Sequence, residues 1–207
     1  MKNLLSLILL LSFTIKAQDV KIGTQTWMSK NLDVSKFRNG EAIPLAKTNA
    51  EWAKAGENKQ PAWCHYDNDP ANGTKYGKLY NWYAVNDPRG LAPEGWHVPS
   101  QKEFDGLIKF MDGETDAAIK LKSDSGWSSF EGQSGNGINK YAFNALPGGY
   151  LGYYCDYFEQ INYVGAWWTT TQIEEQTILF YMSFRIPTFH SDLWSKEAGF
   201  SVRCIKN

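Results

Sequence analysis

Nine Trp and eleven Tyr, set beside short Gly- and Pro-marked motifs, constrain this chain more than any other feature. All of them lie after residue 17. They recur in WMSKNL (27–32), PAWCHYDND (61–69), YGKLYNWYAV (76–85), PEGWHVPS (93–100), LPGGY (146–150), AWWTTT (166–171) and GFSVRC (199–204). Each such ring buries a large area and locks few torsions, so a rigid core can be built from few residues. The same rings can be presented flat to a ligand. No catalytic constellation accompanies them.

The first residues, MKNLLSLILLLSFTIKAQ, place Lys2 before an apolar run over 4–15 and the small residue Ala17. This reads as a signal peptide over residues 1–17, and it is shorter than the ~20 apolar residues of a spanning helix. No Cys lies near the expected cleavage point, so no lipid-modified N-terminus is expected. No later segment reads as transmembrane. The chain is therefore expected to be secreted, or to reside at the cell surface or in the periplasm.

Residues 18–207 have the length of one domain. Removing Lys2 and Lys16 from the 21 cationic residues leaves 19 against 22 acidic ones, a net charge of −3. That balance offers no field for nucleic acid, and no polybasic run faces an anionic membrane.

Cys64, Cys155 and Cys204 allow one disulfide and one leftover thiol, with three possible pairings in an oxidising compartment. There is no CxxC, which disfavours a cysteine-rich zinc site. His65, His97 and His190 show neither HxxxH nor HExxH spacing. His97 reads as a packed, hydrogen-bonded structural histidine. GxSxG is absent, which leaves Cys155 as the one reasonable lone nucleophile. No resident cofactor is expected. Calcium is the one metal to consider, at Asp67–Asn68–Asp69, where Asp67 and Asp69 offer carboxylates. The alternative there is a turn in which both bond nearby backbone N–H groups. Asn72–Gly73–Thr74 is a sequon, which implies an exposed loop.

VKIG (20–23) and TQTWM (24–28) read as a strand pair turning at Gly23. TNAEWAKAG (48–56) reads as a helix capped by Thr48 or Asn49 and ended by Gly56. The clearest helix follows Pro99: Ser100 and Glu103 form a capping box, and Phe104, Leu107, Ile108 and Met111 share one face. A further helix is expected within 114–122. Residues 134–140 read as a turn-rich loop, and 167–171, 177–184 and 200–205 read as strands. The fold class is thus α+β, with short antiparallel strands, two or three short helices and much loop.

GTQTWMSKNL, PAWCHYDND, YGKLYNWYAV, GWHVPS, ALPGGY, the WW-T-T stretch and a closing GFSVRC occur here in one order. In that combination residues 18–207 resemble the Fibrobacter succinogenes major paralogous domain family, least so between 151 and 198. The resemblance implies an exported bacterial protein and a loop-rich, C-type lectin-like fold related to the formylglycine-generating enzymes. VPSQKEFDGL (98–107) and GFSVRC are the stretches similar to that enzyme group. Its copper-binding Cys pair is not recognisable here, and the lectin EPN and WND signatures are missing. Ala92 stands where many family members carry Cys. Cys64 and Cys204 lie in recurring motifs and Cys155 in a variable segment, so the resemblance implies a Cys64–Cys204 disulfide with Cys155 free.

Two stretches are too aromatic and too irregular to alternate along one strand. They are 149–163, with Tyr150, Tyr153, Tyr154, Tyr157 and Phe158, and 185–194, with Arg185, Phe189, His190 and Trp194. In lectin-like folds such segments commonly display a variable binding surface. Tyr153, Tyr154, Tyr157, Arg185, His190 and Trp194 are therefore the expected ligand-binding residues, by ring stacking and by Arg185 on a carboxylate. The alternative is a satellite cluster under a long loop. The expected function is a non-catalytic binding module for a glycan or an extracellular protein. The competing readings are an oxidoreductase related to the formylglycine-generating enzymes, using Cys155 or a metal between Cys64 and Cys204, and a structural scaffold of a surface assembly.

Overall fold

The computed structural model describes residues 19–152 and 157–207. The signal-peptide assignment (1–17) and Tyr153, Tyr154 and Cys155 lie outside the described residues. Among those described, no helix is long and apolar enough to cross a membrane.

The two ends of the described chain meet in one antiparallel sheet. Strands β1 (Asp19–Ile22) and β2 (Gln25–Met28) form the expected hairpin, with Gly23 at φ +60 in the turn. A side chain there would also collide with Phe110, whose ring lies 2.8 Å from where a Cβ would sit. β2 then pairs with β11 (Ile205–Lys206), which pairs with β5 (Trp96–His97), giving the order β1-β2-β11-β5.

Helix α1 (Asn49–Glu57) is capped by Thr48, which accepts from Glu51 N–H at 3.2 Å; Gly56 is buried inside the helix and Asn58 ends it. Beyond β3 (Trp63–Cys64), a 3-10 turn (Tyr66–Asn68) leads into α2 (Pro70–Tyr76), and α3 (Trp82–Val85) follows β4 (Leu79–Tyr80). With α4 (Gln101–Phe110) and α5 (Glu114–Leu121) the described chain has five α-helices, more than the two or three expected. The additional pair are short, and their starts are set by caps: Asp69 before Pro70 accepts from Ala71 N–H at 2.9 Å, and Asn81 accepts from Ala84 N–H at 3.1 Å. The sequon consequently lies on α2 and not in a loop, and Asn72 Nδ2 donates to the Tyr66 carbonyl at 3.0 Å.

α4 presents Phe104, Leu107 and Met111, fully buried, to the sheets. Its start is held by Glu103, whose carboxylate accepts from Ser100 N–H at 2.7 Å, from the Ser100 hydroxyl at 2.7 Å and faces His97 Nε2 at 2.6 Å. Burial alone would raise the Glu103 pKa; the Ser100 N–H and the His97 ring outweigh it, and the pKa falls below its ordinary 4.5. A carboxylate with a depressed folded-state pKa stabilises above its unfolded value and loses that contribution as the pH drops through the folded one. Thermal unfolding of Glu103→Gln is therefore expected below wild type at pH 7, with the gap closing as the pH falls below 4.5. A gap that stays constant into acid would show that the charge is not what holds this cap.

The remaining strands are β6 (Gly148–Leu151), β7 (Phe158–Ile161), β8 (Val164–Ile173), β9 (Gln176–Ser183) and β10 (Phe189–Ser195). β6 and β7 form a hairpin, and β10-β9-β8 form an antiparallel sheet with β10 at an edge. Two strand expectations need correction. Residues 189–195, read as irregular, form β10, with Phe189 packed inward and His190, Asp192 and Trp194 on the opposite face. Residues 200–205 form no continuous strand beyond β11. Instead each bonds a different neighbour: Phe200 with Tyr80, Ser201 with Trp168, Val202 with Leu32 and Cys204 with Met28.

The core is three connected clusters stitched together by indole N–H groups. Trp167 donates to Asn31 Oδ1 (2.8 Å), Trp168 to Tyr80 O (2.8 Å), Trp82 to Thr169 O (3.0 Å) and Trp52 to Glu197 O (2.7 Å). Each bond joins segments far apart in sequence. A buried indole needs such an acceptor, which ties the tryptophan motifs to one another.

Candidate functional site

The sheet of β8, β9 and β10 has two apolar faces. Trp167, Ile178, Phe180, Met182 and Phe189 turn toward α4 and α5 and are sealed. Ala166, Trp168 and Leu179 turn the other way, with Val164, Tyr181 and Trp194 packed beside them. On this second face the cover is incomplete. Tyr150 of β6 and Phe200 close against Trp194, with ring centroids 5.3 and 5.0 Å away. Phe200 is fixed by its backbone bridge to Tyr80 and by Trp168 at 4.7 Å.

What remains open is a cleft of about 210 Å³ lined by Tyr150, Val164, Ala166, Tyr181, Asp192, Trp194 and Phe200. Val164 and Ala166 form its apolar floor, and four aromatic rings form its walls. Asp192 is its one charged lining residue, accepting from Trp194 Nε1 at 3.2 Å and from Leu193 N–H at 2.8 Å. The Tyr150 hydroxyl lies 3.5 Å from Glu159 Oε2. Burial, reinforced by Glu159, pushes Tyr150 up to about 12; burial and then Asp192 raise Tyr181. Both hydroxyls are therefore neutral near pH 7.

Of the expected ligand-binding residues, Trp194 lines this cleft. His190 sits beside it on the same sheet face, 4.2 Å from the Tyr181 ring, with Nδ1 2.9 Å from Thr188 Oγ1. Tyr157 is 73 % exposed at the start of β7's approach and does not line the cleft. Arg185 lies over Phe130 at 4.3 Å and borders a different cavity, of about 340 Å³, with Lys122 and Phe184. Lys122 enters that second cavity, and its amine already donates to Ser183 O (2.5 Å) and Gly135 O (3.3 Å). Burial pulls the Lys122 pKa down to about 8. Sequence reasoning missed Tyr181, Asp192 and Phe200 as partners of Trp194. The alternation of β9 against β10, with Tyr181 opposite His190 and Leu179 opposite Asp192, is the signal that could have found Tyr181 and Asp192.

The Cys64–Cys204 disulfide is not formed. Cys204 is a free, buried thiol in the cluster of Trp168 and Phe200, whereas Cys64 packs with Trp52 and Leu79. Burial pushes Cys204 up to about 12, so it stays protonated. Asp69 is engaged as the cap of α2, and Asp67 stands exposed with φ 54. Among the described residues no three His, Cys, Asp or Glu side chains gather as a metal site. His97 bridges Glu103 and Asn207, its Nδ1 2.7 Å from Asn207 Oδ1. His65 packs edge-on against Trp63, its buried Nδ1 pressed against Gly73 without a hydrogen-bond partner among the described residues. Burial, and then Lys78, lower its pKa, which favours the neutral ring.

A family model described as the Fibrobacter succinogenes major domain matches residues 20–206. No curated protein and no solved structure matches the chain.

Proposed function

The chain belongs to the Fibrobacter succinogenes major domain family, and from that premise we propose that it is an exported, non-catalytic binding module whose site is the cleft between Tyr150, Tyr181, Trp194 and Phe200. One observation carries this reading: on this aromatic-rich sheet face four rings and one carboxylate converge on an open cleft. Aromatic walls with few polar groups are the usual composition of a recognition pocket. The volume suits a single ring or side-chain-sized group carried by a glycan or a surface protein. The lectin-like arrangement belongs to the same reading. Its support is the pairing of β2 with β11, which brings the two ends of the described chain together in one sheet. A non-catalytic role is supported by Cys204, a thiol held protonated in the core and so a poor nucleophile or metal ligand.

Immobilised glycans and surface proteins of defined sequence provide the test. Wild type is expected to bind a subset of them. Trp194→Ala and Tyr181→Ala, each checked for native circular dichroism, are expected to lose that binding by about 10-fold or more. Undiminished binding by both folded variants would remove the cleft from the role.

A further inference from the structure

The rings of the cleft are electrostatically unclaimed. Elsewhere the protein lays its own cations over aromatic faces: Lys78 over Trp63 at 4.5 Å, Lys122 over Trp127 at 4.4 Å and Arg203 over Phe143 at 4.5 Å. Among the described residues no cation lies over Tyr150, Tyr181, Trp194 or Phe200. The charged groups that act on the two tyrosines are the carboxylates Glu159 and Asp192, and no lysine or arginine opposes them. Aromatic faces carry negative quadrupole potential, and two carboxylates beside them add to it. The site is thus complementary to positive charge.

The polar groups narrow the kind of cation. Asp192 already accepts from Trp194 Nε1 and Leu193 N–H, and Glu159 Oε2 faces the Tyr150 hydroxyl. A primary ammonium is strongly hydrated and brings three donors that need acceptors. A fully methylated ammonium brings none, sheds water at lower cost, and its methyl groups suit the Val164 and Ala166 floor. Resting on the binding-module reading above, we propose that this cleft binds a quaternary ammonium group, with the rings contacting the methyl groups and Asp192 supplying charge from the rim.

The test is a titration of the folded protein with choline, followed by NMR at the Trp194 indole N–H. That resonance is assigned by its loss in Trp194→Phe. Choline is expected to shift it saturably and about 10-fold more tightly than 3,3-dimethylbutan-1-ol, its neutral isostere. Butylammonium is expected to bind more weakly than choline. Asp192→Asn, at an exposed position, is expected to weaken choline about 3-fold or more while leaving the alcohol unchanged. Equal affinity for choline and the alcohol, or tighter butylammonium than choline, overturns the proposal. If methyl glycosides move the resonance and choline does not, the ammonium assignment falls and the cleft remains the site. If none of these probes moves it, the ammonium assignment falls, and the cleft itself falls only if Trp194→Ala and Tyr181→Ala also bind immobilised glycans and surface proteins undiminished.

Discussion

Asn31→Ala lowers the unfolding free energy by about 3–5 kcal/mol, because it strips the side-chain acceptor from a buried cation and breaks the network around it. Arg203 is 1 % exposed. Its guanidinium donates to Asn31 Oδ1 through Nε at 3.0 Å and Nη2 at 2.7 Å, to the Met28 carbonyl at 3.1 Å and to the Phe143 carbonyl. No carboxylate is among these partners. Burial pulls its pKa down to about 9, still high enough to keep it charged near neutrality. Asn31 Oδ1 also accepts from Trp167 Nε1, and its Nδ2 donates to Tyr76 O at 2.8 Å and Ser201 Oγ at 3.2 Å. One amide therefore links β2's exit, the end of α2, β8 and the closing segment. Truncation removes the acceptor shared by two guanidinium nitrogens and an indole, and the donor to the Tyr76 carbonyl.

Urea denaturation measures the loss, which corresponds to a fall in Tm on the order of 10 °C for a domain of this size. Asn31→Asp is the informative control. It keeps an acceptor for Arg203 and Trp167 while losing the two Nδ2 donations, so its loss is expected to be smaller. A cycle with Arg203→Met should show coupling of about 1 kcal/mol or more, since the two side chains share one network. If Asn31→Ala costs under about 1 kcal/mol, the network is not what secures this junction.

Phe104→Ala is expected to cost about 3–5 kcal/mol by a different route, an unfilled cavity. Phe104 is 0 % exposed. Its ring centroid lies 4.9 Å from Phe180, 5.0 Å from Trp27 and 5.5 Å from Phe189. It is the point at which α4, the β1–β2 hairpin and the sealed face of the β8–β10 sheet touch. The surrounding rings are stiff and already in contact with one another, as Phe180 and Phe189 are at 5.5 Å, so collapse into the hole is incomplete. Phe110→Ala, on the same helix at 49 % exposure, removes the same atoms from a half-solvated position and is expected to cost about 1 kcal/mol or less. Comparable losses in the two variants would mean that the Phe104 site relaxes around the gap.

Local features were legible wherever a short stretch specifies its own structure. The β1–β2 hairpin, the Glu103–Ser100 box and the buried face of α4 could be read directly because turn, cap and period signals lie within a few residues. The Asp69–Pro70 helix start is legible by the same rule, although the stretch reads as a turn or a calcium loop; Asp69 does bond a backbone N–H, as the cap of α2. The closing GFSVRC stretch was harder. Its backbone bonds run to Tyr80, Trp168, Leu32 and Met28 in turn, so no periodicity along its own sequence announces a strand.

The cysteine pairing could not be read from motif position. Proximity to a recurring motif says that Cys64 and Cys204 are packed, and both are buried, but in different clusters. The ligand-binding set dispersed for a similar reason. Trp194 and Arg185 are nine residues apart in sequence, yet they border separate cavities on either side of the turn into β10.

The sequence by itself determined the α+β class, the single family-wide domain, the aromatic core and the capping of its central helix. Those properties follow from composition and from interactions spanning a few residues. Only the tertiary structure decided which rings stay uncovered, that Cys204 remains a thiol, and that Tyr150, Tyr181, Trp194 and Phe200 meet. An aromatic side chain is equally suited to a core and to a cleft. Its role is set by what distant segments place over it, here a sheet face that β6 and Phe200 cover only in part.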